Sequence, residues 1–238
     1  GYNNACREVI TLKKGRPLIV CITGLPGAGK TTVADALKDI GFTVISMGDV
    51  VRREAERRGL ELTDANLGKV MIELRSIHGP DAIAILVGED IKRLNARSEE
   101  SKDSSKSSMS SSNNNKNKKD EDGDYYYYTR YFAVDGLRNI NEAKRLEEYG
   151  IVKVLAVHAS RERRFNFLVK RGRSDAPSDI KEFYARDRRE MDVGIAEAIA
   201  LSDAIVSNDA TRDELVKHAI TIVKNWVKEY DEDCDGAR

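Results

Sequence analysis

The chain has 238 residues, with 40 basic and 40 acidic side chains and no net charge at neutral pH. That balance removes the broad positive field used by nucleic-acid and membrane-surface binders, and no apolar run is long enough to cross a bilayer or reads as a secretory signal. Three cysteines (Cys6, Cys21 and Cys234) show no metal-ligand spacing, so a cytoplasmic, reducing setting and a single domain over residues 17–238 are expected.

Residues 17–23, PLIVCIT, form a short unbroken apolar run, the pattern of a strand buried on both faces. Residues 24–32 follow as GLPGAGKTT, which fits G-x-x-x-x-G-K-[ST]. Glycines at Gly24, Gly27 and Gly29 let the backbone wrap where a Cβ would collide, so Gly24, Leu25, Pro26, Gly27, Ala28 and Gly29 read as a phosphate cradle. Lys30 is placed to reach the β- and γ-phosphates, Thr31 to ligate Mg²⁺, and Thr32 to complete the loop. Val33, Leu37 and Ile40 then recur at helical spacing, and Gly41 is a C-terminal stop. Strand, glycine loop and helix together turn backbone N–H groups and a helix N-terminus toward a phosphate chain. The pattern predicts a site for ATP with Mg²⁺.

Residues 42–46 read as a second strand, and a highly charged helix is expected over 50–58, closed by Gly59. Leu67, Val70, Met71 and Leu74 mark one face of a helix over 63–78, and a further helix spans 82–95. Residues 98–124 hold a single Met and no other large apolar side chain, so they cannot bury enough surface to offset their ordering entropy. They read as a disordered insertion, with docking of a protein partner as the functional alternative. A β-prone, tyrosine-rich strand over 125–134 ends at Asp135 and Gly136. A helix over 141–149, a strand over 151–157, a basic segment over 160–173 and a long helix from 179 to about 200 come next. A fifth strand at 204–207 and an amphipathic helix carrying Leu215, Ala219, Val223 and Trp226 close the chain. Strands alternating with helices predict an α/β fold, a five-stranded parallel sheet covered on both faces, with ligands beyond the carboxyl ends of its strands.

Two stretches past strand ends carry arginines: SMGDVVR ending at Arg52, and DGLR, in which Gly136 precedes Arg138. Two guanidiniums there can grip one acceptor phosphate with bidentate bonds, although Arg52 also reads as a solvated helix residue beside Arg53 and Glu54. Asp49 is either the N-cap of the helix that follows or a base for an acceptor hydroxyl. Asp135 either holds Mg²⁺ or hydrogen-bonds within its turn. Arg171 and Arg173 on a loop, with Arg186 facing back from the next helix, form a lid over about 161–190 that stabilises charge in phosphoryl transfer.

The order GLPGAGKTT, SMGDVVR, DGLR and an arginine-bearing lid resembles the adenylate kinase and nucleoside monophosphate kinase group. DGLRNINEAKRLEEYG and RDRREMDVGIAEAIALSDAIVSND more closely resemble an archaeal family of uncharacterised kinase-like proteins, related to adenylate kinase and dephospho-CoA kinase. The resemblance covers residues 17–228 apart from the insertion. It implies a P-loop kinase (nucleotide kinase-like) fold, Arg52 and Arg138 as acceptor-phosphate ligands, and Lys30, Arg173 and Arg186 around the transferred phosphoryl. Asp49 matches the aspartate that dephospho-CoA kinases carry after strand two, whereas the lid reads R-S-D-A in place of R-x-D-D. The expectation is transfer of the γ-phosphoryl of Mg-ATP to a small nucleotide. The alternative is a nucleotide-dependent switch or slow ATPase acting with a protein or RNA partner.

Overall fold

Every residue of β1 (Leu18–Thr23) is buried, and its side chains divide between two cores. Leu18, Val20 and Ile22 join one hydrophobic cluster, while Ile19 and Cys21 join the other. Alternation across a pleated strand produces this split, and it explains the unbroken apolar run. Burial pushes the Cys21 thiol well above its ordinary range, in keeping with an inert packing residue. The computed structural model describes residues 16–100, 130–172 and 177–235.

β1 lies at the centre of a five-stranded sheet of order β2-β3-β1-β4-β5, in which β2 is Thr43–Ser46, β3 Tyr131–Leu137, β4 Ile151–His158 and β5 Ala204–Ser207. Every pairing is parallel. On one face pack α1 (Lys30–Asp39) and α9 (Arg212–Asp235), through Val33, Leu37, Leu215, Ala219 and Val223. On the other pack α2 (Met47–Arg57), α3 (Asp64–His78), α4 (Ala82–Glu100) and α5 (Ile140–Leu146), through Val51, Val70, Leu74, Ile83 and Leu146. Full burial of one such Leu or Ile side chain contributes about 2 kcal/mol. Among the described residues no helix is long and apolar enough to cross a membrane.

Several boundaries differ from the sequence expectation. α2 starts at Met47, and its N-cap is Ser46, whose hydroxyl accepts the Asp49 N–H. Asp49 therefore sits inside the first turn and does not cap the helix. β3 continues past Val134 to Leu137, with Gly136 at φ 100 as an extra residue between the pairs Ile22–Asp135 and Thr23–Leu137. Such a bulge re-aims side chains at a strand end. Of the expected tyrosine strand, residues 125–129 lie outside the described set. Tyr131 is half-buried against Phe42 and Tyr230, and its hydroxyl donates to Asp231 at 2.7 Å. α4 runs on to Glu100, beyond the expected end at 95, and the rest of the expected insertion lies outside the described residues.

The basic segment forms α6 (Arg161–Arg171), closed by Gly172 in the left-handed region. The expected long helix is two, α7 (Ile180–Val193) and α8 (Ile195–Ala200). They break at Gly194, where φ is 111 and an added Cβ would lie 3.1 Å from the Asn139 Cβ. Apolar periodicity runs through the break, and Gly194, a left-handed C-cap, is its one mark in the sequence.

Candidate nucleotide and acceptor site

The loop between β1 and α1 is shaped by close approaches that only glycine permits. A Cβ on Gly27 would lie 2.6 Å from the Arg164 carbonyl oxygen, and one on Gly29 would lie 2.7 Å from Asn208 Nδ2. α1 starts at Lys30 with Gly29 as its cap, so its first N–H groups border the loop. Lys30 Nζ donates to the carbonyls of Gly24 at 2.6 Å and Leu25 at 3.2 Å. Burial pushes the Lys30 ammonium down to about 8, against the opposing pull of Asp135.

The loop opens into a cavity of about 380 Å³, lined at this end by Gly24, Pro26, Gly27, Gly29, Lys30 and Thr31. Leu25, Ala28 and Thr32 are not among the lining residues; the Ala28 carbonyl instead accepts from Asn208 Nδ2 at 3.0 Å. Asp135 reaches the cavity from the end of β3, with Gly136, Leu137 and Arg138 beside it. Burial pushes the Asp135 carboxyl up, the nearby Lys30 pulls it down, and Asp35 and Asp49 add to the rise.

The far end of the cavity is walled by α2, α3, α5 and α7. Met47, Gly48 and Val51 come from α2, Met71 and Arg75 from α3, Glu142 from α5, and Arg186 and Glu190 from α7. Arg138 Nη1 donates to the Met71 sulfur at 3.1 Å, and its Nε lies 3.4 Å from Glu190 Oε2. Arg75 Nη2 donates to Glu142 Oε1 at 3.3 Å. Glu142 is fully buried, and its Oε2 accepts the backbone N–H groups of Arg138 at 2.7 Å and Asn139 at 3.3 Å. Burial pushes its carboxyl up, while those N–H groups and Arg75 draw it back. Glu142 thereby fixes the turn that presents Arg138 and pairs with the second guanidinium at the same wall.

α6 and α7 are tied to the phosphate loop. Arg164 binds Asp187 through two hydrogen bonds of 2.8 and 2.7 Å and donates a third, of 3.2 Å, to the Pro26 carbonyl. The Phe183 ring lies 4.8 Å from the Arg164 guanidinium carbon. Arg171 and Arg186 also line the cavity, so α6 and α7 bring the expected lid arginines to it. Arg171 ends a helix and is not on a loop, and Arg173 lies outside the described residues.

A Mg²⁺ ion bound with a triphosphate fits this donor set. The Thr31 hydroxyl and the Asp135 carboxylate line one cavity with Lys30, and both offer the hard oxygen ligands that Mg²⁺ prefers beside phosphate oxygens and water. Thr31 and Asp135 would hold the ion there, and its charge would offset charge developing on the transferred group.

Two expected site residues lie beside the cavity without lining it, Arg52 Nη1 close to Gly48 and Asp49 close enough to act on the Asp135 carboxyl. Asp49 and Arg52 do not line the cavity. They pair with each other at 2.6 Å on α2, with side chains 66% and 53% exposed. Gly48 and Val51, which line the cavity, each precede one of them by a single residue, and successive side chains on a helix diverge by about 100°. Arg75 was not singled out from the sequence. It follows Met71 by one turn on the helix face that carries Leu67 and Met71, so a charged residue at the next i,i+4 step of that face was the available signal. Glu142 had a local mark of its own, as the fourth residue of the Asn139-x-x-Glu142 capping box that opens α5, whereas Glu190 and the Arg164–Asp187 pair have none.

Residues 23–98 match a family model described as an AAA domain. A UPF0200 protein of Pyrococcus abyssi is 32% identical over 210 residues, covering 87% of this chain and 96% of the relative. A UPF0200 protein of Methanocaldococcus jannaschii is 32% identical over 207 residues, covering 87% of this chain and 89% of the relative. Among solved structures, TT1252 from Thermus thermophilus aligns with a TM-score of 0.55 at 19% identity, over 88% of this chain and 97% of that one. A putative kinase from Chloroflexus aurantiacus aligns with a TM-score of 0.51 at 14% identity, over 88% of this chain and 97% of that one. With the parallel sheet order, these likenesses establish a P-loop kinase-like fold.

Proposed function

The chain belongs to the UPF0200 family, and on the geometry of its cavity we propose that it moves the γ-phosphoryl of Mg-ATP to a small nucleotide acceptor. One observation carries this reading: a single cavity joins the glycine loop with Lys30 and Thr31 to a second cationic wall of Arg75 and Arg138. The loop N–H groups and Lys30 hold the donor phosphates, while Thr31 and Asp135 hold Mg²⁺ with them. Arg138 and Arg75 bind the acceptor's phosphate, with Arg75 in the role expected of Arg52. Arg171 and Arg186, and Arg173 from the adjoining segment, stabilise the charge on the transferred group.

The acceptor class is argued from the carboxylates. A nucleoside monophosphate presents an oxygen already ionised near neutral pH, so transfer to it needs positioning and no base. Dephospho-CoA presents a hydroxyl that benefits from a base. Asp49, the base suggested by resemblance, is outside the cavity and paired with Arg52. Glu142 is engaged with backbone N–H groups and Arg75. With Asp135 assigned to Mg²⁺ and Glu190 set against the Arg138 guanidinium, this distribution favours the phosphate acceptor.

The test is a panel of nucleoside monophosphates, their deoxy forms and dephospho-CoA with Mg-ATP, following both ADP and the phosphorylated product. Product from a monophosphate is expected. Transfer to dephospho-CoA alone would move the reading to a hydroxyl kinase. ADP release at one slow rate, whatever the acceptor, would replace it with the switch or ATPase alternative.

A further inference from the structure

The wall at Arg138 has a second carboxylate whose pairing is poor. Glu190 Oε2 lies 3.4 Å from Arg138 Nε, yet this buried oxygen makes no hydrogen bond among the described residues. Arg138 in turn directs Nη1 at a thioether sulfur, a weak acceptor. Arg75 Nε is buried beside them with no hydrogen-bond partner among the described residues. A phosphate accepts two parallel N–H bonds from a guanidinium with far better geometry than Glu190 achieves here. Glu190 is also held on α7, one turn beyond Asp187, whose bond to Arg164 and through it to the Pro26 carbonyl links that helix to the phosphate loop.

We propose that Glu190 is a built-in competitor for the acceptor's anionic group: a phosphate monoester on Arg138 displaces the Glu190 carboxylate and loosens the end of α7. The proposal rests on the reading of Arg138 as an acceptor-phosphate ligand. Two anions on one guanidinium repel each other, so acceptor binding and the Arg138–Glu190 contact oppose each other. The consequence is selectivity. Neutral molecules that fit the cavity leave Glu190 in place, while an anion removes it and transmits its arrival to α7, which also carries Arg186.

The experiment uses the full chain with its loop filled by a non-hydrolysable Mg-ATP analogue and inorganic phosphate as the probe. Titration of the analogue alone first reads donor binding, so failure at that step counts against the proposed function and is seen separately. Calorimetry should then show Glu190→Gln binding phosphate about tenfold more tightly than the unaltered chain, the order expected when one nearby like charge is removed. Glu190→Ala should act in the same direction, and Arg138→Met should lose the phosphate site with either residue at 190. In the unaltered chain, phosphate should speed amide exchange over residues 188–193 and leave exchange in β1 unchanged. Equal or weaker phosphate binding in Glu190→Gln overturns the proposal, as does unaltered exchange over 188–193 at saturating phosphate.

Discussion

Arg164 and Asp187 form a two-bond ion pair, at 2.8 and 2.7 Å, with side chains only 5% and 9% exposed. The third bond of Arg164, to the Pro26 carbonyl, makes this pair a strut between α7 and the phosphate loop. Removing one partner from a buried pair leaves the other charge without compensation. Asp187→Asn is therefore expected to lose about 3 kcal/mol of stability, whereas Arg164→Met with Asp187→Leu should lose less than Asp187→Asn alone. Urea denaturation of the three proteins measures this, and an equal or larger loss in the double variant would show that the charges themselves stabilise the fold.

Gly27 and Gly59 separate steric from conformational need. Both have positive φ, 78 and 71, but a Cβ at 27 would meet the Arg164 carbonyl at 2.6 Å, and one at 59 would meet nothing within 4 Å. Gly59→Ala should cost about 1 kcal/mol, from backbone conformation alone. Gly27→Ala should also weaken ATP-analogue binding by at least about tenfold, because the loop must shift away from α6. Equilibrium binding alongside thermal melts distinguishes the two. Comparable binding in both variants would mean that the loop tolerates the displacement.

Lys30 should make nucleotide binding depend on pH. Its folded value is lowered from 10.5 to about 8, mainly by burial. In the nucleotide-free chain the unfolded state therefore holds more protons between those values, and this group's contribution to stability rises with pH across that window. Phosphates favour the charged ammonium, so binding above about pH 8 takes up a proton and weakens as pH rises. Calorimetry at about pH 9 in buffers of different ionisation enthalpy should show the uptake, and Lys30→Met should abolish it. No uptake in the unaltered chain would place the Lys30 transition outside this range.

Arg75 and Arg52 make opposite predictions at the acceptor end. Arg75 lines the cavity and pairs with buried Glu142, whereas Arg52 pairs with Asp49 on the exposed side of α2. Arg75→Met should raise the acceptor KM by at least about tenfold with ATP binding little changed, the scale of one charge-assisted contact. Arg52→Met should change it by less than about twofold, as expected for an exposed ion pair. Steady-state kinetics with the acceptor found in the panel measure both. A reversed order would restore Arg52 as the phosphate ligand.

The amino-acid sequence by itself determined the parallel sheet and the phosphate loop. Their signals are local: β1 is buried on both faces and so reads as continuous apolar residues, and the loop's glycines and Lys30 occur at adjacent positions. Arg138 was legible as well, because a strand followed by a turn delivers it to the sheet's carboxyl edge. Tertiary structure decided the rest of the cationic wall of the cavity. Ser46 caps α2 in place of Asp49, and burial of Met47, Val50, Val51 and Ala55 in the core sets Gly48 and Val51 on the cavity with Asp49 and Arg52 beside it. Arg75 and Glu142 meet across 67 residues, and Arg164 and Pro26 across 138. No local spacing encodes such contacts. They arise only when α3, α5, α6 and α7 pack around the sheet and place charges from distant segments in one low-dielectric wall.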